Sequence, residues 1–248
     1  MHGLLAGLDP AHDIAVQLLI RCPLWWCMSV AVVVGANGGI GAALVAALRA
    51  RGQDVVGLGR PGVDLCDEGS IARAVAGWPA GEVRLVINAA GLLQDGEQGP
   101  EKTLRALDAG QLARSFAVNA IGPALLMKHA LPLFPRTGRA VFASLSARVG
   151  SIGDNRLGGW YSYRAAKAAL NQLARTAAIE LARSHRQAIC VALHPGTVAT
   201  PLSAPFAKAG LTIQTPADAA AQLLRIIADL TPDQSGHLLD YRGEVLPW

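Results

Sequence analysis

The sequence predicts a doubly wound α/β fold of the Rossmann type, in which helices cover both faces of a mostly parallel sheet. Strand-like and helix-like patterns alternate from residue 30 onward, as repeated βα units require. The first strand, 30–34, is a continuous apolar run rich in valine, which is typical of a strand buried on both faces. No repeat, low-complexity tract or linker interrupts the pattern, so we expect one domain.

Short apolar runs and helical periodicity place the remaining elements. The predicted strands are 30–34, 54–58, 85–88, 140–144, 188–193 and 237–240. The predicted helices are 42–51, 70–78, 104–133, 162–184 and 216–230. We expect the third helix to break near Gly110 and to end at Pro132. Pro216 lies just inside the start of the last helix, where its missing N–H does no harm.

The composition is that of a chain with a large buried core and few charges. Of the 248 residues, 52% are hydrophobic and 16% charged, and the mean hydropathy is +0.32, which excludes a disordered chain. The net charge of +4 is small and the arginines are scattered, so we expect no nucleic-acid partner. The four cysteines lack histidine partners at metal-ligand spacing, and they favour reduced thiols in the cytoplasm.

Residues 1–27 are predicted to be an extension outside the fold, and residues 28–248 to form the domain, because the strand pattern starts directly after a methionine. The apolar stretch leading into the first strand is split by Arg21 and Pro23, and its uninterrupted part is shorter than the ~18–20 residues of a membrane span. We therefore expect no membrane span. Membrane attachment through 18–26 is the alternative.

Tyr163 and Lys167 are four residues apart in a predicted helix, which puts a phenol and an ammonium on one helical face. A free phenol titrates near pH ~10, and a nearby cation favours its ionised form. Such a pair can exchange a proton with a carbonyl or hydroxyl oxygen at neutral pH. By itself the spacing also fits a solvated surface pair. Tyr161 has no such partner, because Ala165 follows it at the same distance.

A glycine-rich turn, Gly35–Gly41, joins the first strand to the first helix. Glycines allow a tight turn and a close approach of the backbone, and the N-terminus of a helix attracts phosphate. The glycines follow a GxxxGxG pattern, which also reads as GxxGxxG, and not the GxGxxG of the dinucleotide fingerprint. An ordinary turn in a βα unit is the alternative.

Five motifs in a fixed order resemble the short-chain dehydrogenase/reductase family. They are Gly35–Gly41, Asn88-Ala89-Ala90-Gly91, Asn119, Tyr163-x-x-x-Lys167 and Pro195–Thr200. The resemblance extends from about Ser29 to Trp248. Two further segments, 158–163 and the closing Pro247-Trp248, resemble the sniffer-like carbonyl reductase branch, which includes C-factor-like proteins.

The resemblance implies roles for the catalytic residues. Tyr163 would be the general acid/base, and Lys167 would lower its pKa and bind the hydroxyls of the nicotinamide ribose. Asn119 would help to position a water and the lysine. The implied activity is the transfer of a hydride between nicotinamide and a carbonyl or alcohol carbon, with Tyr163 exchanging the proton.

The substrate-binding serine is where the chain departs from the family pattern. That serine usually stands three residues before the glycine that follows the fourth strand, and Ala147 occupies this place here. Ser146 is one residue earlier, where strand alternation would turn it to the other face unless a bulge or the strand end restores it. We favour Ser146, with Ser144 second, as the donor to the substrate oxygen.

The end of the second strand indicates which nucleotide binds. An acidic residue there binds the ribose 2′-hydroxyl of NAD, whereas an arginine suits the 2′-phosphate of NADP. Arg60 follows this strand and Asp54 stands at its other end, so NADP(H) is favoured over NAD(H). Together with the resemblance, this predicts the following cofactor-binding residues: Gly35, Asn37, Gly39, Ile40, Gly41, Arg60, Asp64, Leu65, Asn88, Ala89, Gly91, Tyr163, Lys167, Pro195, Gly196, Val198 and Thr200.

The sequence thus predicts an NADP(H)-dependent oxidoreductase that acts on a small carbonyl or alcohol substrate. A dinucleotide-sensing or signalling protein on the same fold is the alternative. The resemblance and the apolar composition imply a homodimer or homotetramer. A segment at 203–211 resembles a mobile lid. Five residues could make the substrate pocket apolar: Leu92, Leu93, Ile152, Trp160 and Phe206.

Overall fold

The computed structural model describes residues 29–94, 96, 99–203 and 213–248, and it confirms the predicted fold class. Its strands are β1 Val30–Val34, β2 Asp54–Leu58, β3 Val83–Asn88, β4 Ala140–Leu145, β5 Ala188–His194, β6 Thr197–Val198, β7 Ile213–Gln214 and β8 Leu238–Asp240. Its α-helices are α1 Gly39–Ala50, α2 Glu68–Ala76, α3 Ala109–Phe116, α4 Gly122–Ala130, α5 Tyr161–Leu181 and α6 Pro216–Asp229. The predicted extension and most of the predicted lid lie outside the described residues.

Six parallel strands form the central sheet, in the order β2-β1-β3-β4-β5-β8. Because β1 lies between β2 and β3, the chain moves to one side of β1 first and then returns to the other. Ligands of such sheets bind in the crevice beyond the carboxyl ends of the strands where this reversal occurs. The separate parallel pair β6-β7 is not predicted by the sequence, because strands of two residues give no periodic pattern.

Helices cover both faces of the sheet, as expected for strands that are apolar throughout. On one face α2, α4 and α5 pack around Phe142 and Leu170. On the other face α1 and α6 pack around Leu44, Leu223 and Val141. Side chains alternate along β4, so that its even-numbered residues point toward α5 and its odd-numbered residues toward α6.

The predictions for β1 and β2 are confirmed to the residue, whereas the predicted helix 104–133 is a series of shorter pieces. A 3₁₀ turn at Leu104–Ala106 precedes α3, and a π-helical turn at Ala117–Ile121 joins α3 to α4. A second 3₁₀ turn, Leu131–Leu133, follows α4. Apolar periodicity does not distinguish these hydrogen-bond patterns, because side-chain hydrophobicity does not report the turn type.

One stretch within the described residues, Ala109–Leu133, is long and apolar enough to cross a membrane by length and composition alone. It includes the buried side chains of Leu126 and Met127, which belong to the core between the sheet and α5. A core helix of a globular domain passes the same test of length and composition.

Candidate active site

The glycine turn lies in the crevice between β1 and β3. Gly35 has a φ of +86°, and a Cβ there would lie 2.6 Å from the backbone nitrogen of Ala90. A Cβ on Gly41 would lie 2.0 Å from the carbonyl oxygen of Gly35. Both positions therefore need glycine so that one backbone segment can approach another. Because α1 starts at Gly39, its unpaired N–H groups lie at this turn.

Arg60 and Asn37 meet at the carboxyl end of β2. The first two N–H groups of the glycine turn donate to the carbonyl oxygen of Leu58 at 2.8 and 2.9 Å, which brings the turn against β2. Asn37 Nδ2 donates to the carbonyl oxygen of Arg60 at 3.1 Å, and the Arg60 side chain is exposed. Asp54 begins β2 at the opposite end of the sheet. The structure thus places Arg60 at the crevice and keeps Asp54 away from it.

The predicted adenosine-side residues come from the segments that follow β2 and β3. Asp64 Oδ1 accepts the N–H of Cys66 at 2.9 Å, and Leu65 is buried. Asn88 is fully buried at the end of β3, where its Oδ1 accepts the N–H of Ala90 at 3.2 Å. Its Nδ2 has no hydrogen-bond partner among the described residues. A buried donor without a partner beside the crevice fits a ligand that brings acceptors, such as a dinucleotide.

Tyr163 and Lys167 lie in the first two turns of α5. Lys167 is only 2% exposed, and its Nζ donates to the carbonyl oxygen of Leu145 at 2.8 Å. The same nitrogen lies 5.7 Å from the centre of the Tyr163 ring. The structure therefore brings the phenol and the amine together at the carboxyl end of β4.

Removal from water changes the acidity of both groups. Burial raises the pKa of Tyr163 to about 12. Burial also lowers the pKa of Lys167 to about 7. Burial sets the direction of the Tyr163 shift, and a lowering of this pKa by Lys167 stays a prediction. An added hydrogen-bond acceptor beside Lys167 Nζ would favour its ammonium form.

Asn119 lies in the π-helical turn and is fully buried. Its Oδ1 accepts the N–H of Leu92 at 3.0 Å, and its Nδ2 donates to the carbonyl oxygen of Leu92 at 2.7 Å. A Cβ on Gly91 would lie 3.4 Å from Asn119 Oδ1 and 3.8 Å from Lys167 Nζ. Asn119, Gly91 and Lys167 therefore meet, although they belong to three separate segments. π-Helical turns are frequent at functional sites.

Neither candidate serine has an exposed hydroxyl at the crevice. Ser144 is fully buried, and its Oγ has no partner within the part of the chain that the structure describes. Ser146 is 4% exposed, and its Oγ donates to Asn171 Oδ1 on α5 at 2.7 Å. Ala147 offers no hydroxyl at the position that the family usually gives to serine. Contact between Ser146 and a substrate stays a prediction.

The loop after β5 lies against the glycine turn. It includes four predicted cofactor-binding residues, Pro195, Gly196, Val198 and Thr200. A Cβ on Gly39 would lie 2.7 Å from Thr200 Cγ2, so the two segments touch. Gly196 has a φ of +79°, and a Cβ there would lie 2.7 Å from Gln214 Nε2. The remaining predicted turn residue, Ile40, packs on the core beneath α1.

The predicted apolar pocket is only partly assembled. Leu92 and Leu93 line a small cavity beside Tyr163. The ring of Trp160 stands edge to face against the Tyr163 ring, with 6.3 Å between the ring centres. Ile152, in contrast, is 76% exposed and does not line this cavity. Phe206 and residues 204–211 of the predicted lid lie outside the described residues.

Three buried polar residues beside Tyr163 are not found from the sequence. Glu101, Ser115 and Ser162 line the same small cavity. The Ser162 hydroxyl donates to Glu101 Oε1, and Ser115 Oγ donates to the carbonyl oxygen of Ser162 at 3.2 Å. No motif marks this set, because Glu101 and Ser162 are 61 residues apart.

Comparison with known proteins assigns the chain to a family. A family model described as enoyl-(acyl carrier protein) reductase matches residues 62–229. The 1-hydroxy-2-glutathionyl-2-methyl-3-butene dehydrogenase of Rhodococcus sp. (strain AD45) is 32% identical, over 89% of this chain and 100% of its own length. The chain belongs to the short-chain dehydrogenase/reductase family. The family that the five sequence motifs predict is therefore confirmed. This dehydrogenase/reductase is an oxidoreductase.

Two further similarities place this dehydrogenase/reductase near the carbonyl reductases. The C-signal of Myxococcus xanthus is 35% identical to it, over 68% of this chain and 94% of its own length. The crystal structure of an NADPH-bound carbonyl reductase from chicken fatty liver is 27% identical and has a TM-score of 0.75, covering 89% of this chain and 99% of its own. The predicted carbonyl reductase-like branch is thereby confirmed.

Proposed function

We propose that this dehydrogenase/reductase uses NADP(H) to reduce the carbonyl group of a small molecule to an alcohol. The observation that carries the proposal is the position of the loop after β3, which contacts both halves of the site. Ala90 in this loop lies against Gly35 of the glycine turn, and Gly91 lies against Asn119 and Lys167. A dinucleotide bound at the turn would therefore extend toward the acid/base residues.

Carbonyl reduction needs a hydride and a proton. Bound NADPH would supply the hydride. Tyr163 would donate its phenolic proton to the carbonyl oxygen as negative charge develops there, so that one O–H bond breaks and another forms. Because the pKa of Tyr163 is raised to about 12, its phenol is protonated at neutral pH, as a proton donor must be. Lys167, with Nζ 5.7 Å from the ring, would stabilise the phenolate that remains.

We propose reduction as the forward direction, which starts from the protonated Tyr163 phenol that burial favours.

We also propose that NADP(H) is preferred over NAD(H). Arg60 is exposed at the carboxyl end of β2, next to Asn37 of the glycine turn, where it would bind the 2′-phosphate. An acidic residue at the carboxyl end of β2 would bind the 2′-hydroxyl of NAD, but Asp54 lies at the opposite end of this strand. The similar carbonyl reductase from chicken fatty liver has NADPH bound.

The proposed setting is the cytoplasm, where the protein would act as a homodimer or homotetramer. Of the described cysteines, Cys66 and Cys190 are free thiols, which supports a reducing compartment. Self-association is what the resemblance to the short-chain dehydrogenase/reductase family implies. Light scattering coupled to size-exclusion chromatography would measure the number of copies.

The experiment that tests the proposed reaction is oxidation of NADPH in the presence of a panel of aldehydes, ketones and quinones. We expect turnover with at least one of these classes. Tyr163→Phe should lower kcat by about 10²–10⁴-fold, the usual contribution of general acid catalysis. The matched control is Tyr161→Phe, two residues away and 37% exposed, which should leave kcat unchanged. Equal losses in both variants would contradict the role of Tyr163.

A signalling role is the second candidate, because one relative is named C-signal. The replacement of the usual serine by Ala147 agrees with weak catalysis, since it removes a donor to the substrate oxygen. Tight NADPH binding without turnover of any compound in the panel would favour signalling over reduction.

A further inference from the structure

We propose that Glu101 is a positioning residue, which holds the start of α5 so that Tyr163 reaches the reacting oxygen. The inference deepens the proposed function and rests on it, because Tyr163 is the proton donor of that reaction. Glu101 lines the small cavity beside Tyr163 and would act on this tyrosine through Ser162.

The start of α5 lacks an ordinary cap. The N-cap residue is Trp160, whose side chain makes no capping hydrogen bond. Serine, threonine, aspartate or asparagine usually occupies this position, because their side-chain oxygens accept N–H groups of the first turn. Trp160 also has a φ of +54°, the only positive value at a non-glycine residue in the described ranges. A bulky residue remains in this region only when its surroundings hold it there.

Glu101 supplies the missing cap from a distant loop. The residue is 3% exposed, and its Oε2 accepts the N–H of Ser162 at 3.1 Å. Its Oε1 accepts the hydroxyl of the same serine. The backbone carbonyl oxygen of Glu101 accepts the N–H of Trp160 at 2.5 Å. One residue therefore bonds to the helix start on both sides of Tyr161.

The charge of Glu101 is compensated by the helix. Among residues 29–94, 96, 99–203 and 213–248, no lysine, arginine or histidine forms an ion pair with this carboxylate. A buried carboxylate is costly unless hydrogen-bond donors replace water. The N-terminus of the 21-residue helix α5 provides such donors and a partial positive charge. This makes the contact specific for an acidic side chain with two acceptor oxygens.

The same contacts reach the lysine side of the site. Ser115 Oγ donates to the carbonyl oxygen of Ser162 at 3.2 Å, and it accepts from Asn119 Nδ2 at 3.2 Å. Glu101, Ser162, Ser115 and Asn119 are all buried. A continuous set of hydrogen bonds therefore joins the start of α5 to the asparagine that lies beside Lys167.

Loss of Glu101 would move Tyr163 relative to Lys167. Tyr163 directly follows Ser162, and its ring contacts that of Trp160. Ser162 and Trp160 are both hydrogen-bonded to Glu101. Lys167 is fixed separately by the carbonyl oxygen of Leu145. A misplacement of about 1 Å at a reacting group can lower the rate by about 10²-fold.

The test compares Glu101→Ala and Glu101→Gln with Glu180→Ala, which changes an exposed glutamate at the other end of the same helix. We expect Glu101→Ala to lower kcat by about 10–100-fold while the Kd for NADPH changes less than about twofold. Glu101→Gln keeps one acceptor oxygen but loses the second one, so it should lower kcat by an intermediate amount, about 5–10-fold. Glu180→Ala should match the unmodified protein. Equal kcat in all three variants would overturn the proposal.

Amide hydrogen exchange provides a measurement that needs no substrate. Peptides covering 158–168 should exchange faster in Glu101→Ala, whereas peptides covering α6 should not change. Slowed turnover with unchanged exchange at 158–168 would overturn positioning. An unmodified protein that binds NADPH but reduces nothing would refute the proposed function, and the exchange result would still decide whether Glu101 holds the helix.

A double-mutant cycle excludes general destabilisation. Glu101→Gln and Ser162→Ala each remove part of the same contact, so their effects on kcat should not add. We expect Glu101→Gln to change kcat less than about twofold in a Ser162→Ala background. Additive effects would show that Glu101 acts elsewhere. The cycle also keeps the proposal testable if Glu101→Ala does not fold.

Discussion

The proposed nucleotide side of the site rests on close approach of the glycine turn to neighbouring loops, whereas the proposed acid/base side is held by side-chain hydrogen bonds. At Gly35, directly after β1, backbone lies against the backbone of Ala90. On the second side, Ser162, next to Tyr163, donates its N–H to Glu101 across 61 residues of sequence. Asn119 is fixed by Leu92 across 27 residues.

Because of this difference, substitutions on the two sides should have different effects on nucleotide binding and catalysis. In the glycine turn an added side chain collides with backbone, which cannot move away cheaply. On the acid/base side a substitution removes a supporting hydrogen bond and leaves the nucleotide site intact. Binding and catalysis should therefore separate cleanly in the variants.

The largest expected effect on nucleotide binding and stability is that of Gly35→Ala. A Cβ at this position would lie 2.6 Å from the backbone nitrogen of Ala90, and φ is +86°. We expect NADPH binding, measured by calorimetry, to weaken by at least about 100-fold, because the turn can no longer approach the loop after β3. The free energy of unfolding, measured in urea, should fall by about 3 kcal/mol from clash and backbone strain together.

Gly52→Ala is the matched control for this variant. Gly52 also has a positive φ, +75°, but a Cβ there would have no atom within 4 Å. It should lower the free energy of unfolding by about 1–2 kcal/mol from backbone strain alone and leave NADPH binding unchanged. If the two variants behaved alike, the contact with Ala90 would not matter, and the contrast between the two sides would lose its basis.

The second prediction concerns Arg60→Ala. Removal of a charge-assisted contact to the 2′-phosphate should raise the Kd for NADPH by about tenfold and leave the Kd for NADH unchanged. Arg186→Ala is a suitable control, since Arg186 is exposed and precedes β5, at the amino end of the parallel strands and away from the crevice. A Kd ratio of NADPH to NADH that Arg60→Ala does not alter would refute the proposed preference.

The parts of the fold that the sequence predicts are those whose causes are local. β1 is predicted to the residue because a strand buried on both faces requires a short apolar run, and β2 because a short, mostly apolar run lies between glycine-containing turns. Tyr163 and Lys167 are predicted as a pair because helical spacing alone sets their common face. Gly35 is predicted because only glycine tolerates such a close approach of backbone.

The parts that the sequence does not predict depend on long-range contacts. The π-helical turn around Asn119 has the same apolar pattern as an α-helix. Glu101 looks like any glutamate of a polar loop until the fold brings it to Ser162. The pKa of Tyr163 also depends on burial, and its direction in the structure is opposite to that expected from Lys167 alone.

The smallest expected effect is that of Ser146→Ala, which tests whether this hydroxyl belongs to the acid/base side. In the structure Ser146 Oγ donates to Asn171 on α5 at 2.7 Å. If that is its main role, the variant should lower the free energy of unfolding by about 1 kcal/mol and change kcat/KM less than about threefold. Ser144→Ala is the control, because its buried Oγ has no partner among the described residues and its removal should cost almost nothing.

The opposite result would restore the role that the sequence favours for Ser146. A loss of kcat/KM of about 100-fold in Ser146→Ala, without loss in Ser144→Ala, would show that the hydroxyl leaves Asn171 and donates to the substrate oxygen. In that case Ser146 would join the acid/base residues only when substrate binds and its hydroxyl changes partner. With a small loss instead, neither Ser146 nor Ala147 would donate to the substrate oxygen, and Tyr163 would be its main side-chain donor. The loss of kcat in Tyr163→Phe should then be near the upper end of about 10²–10⁴-fold.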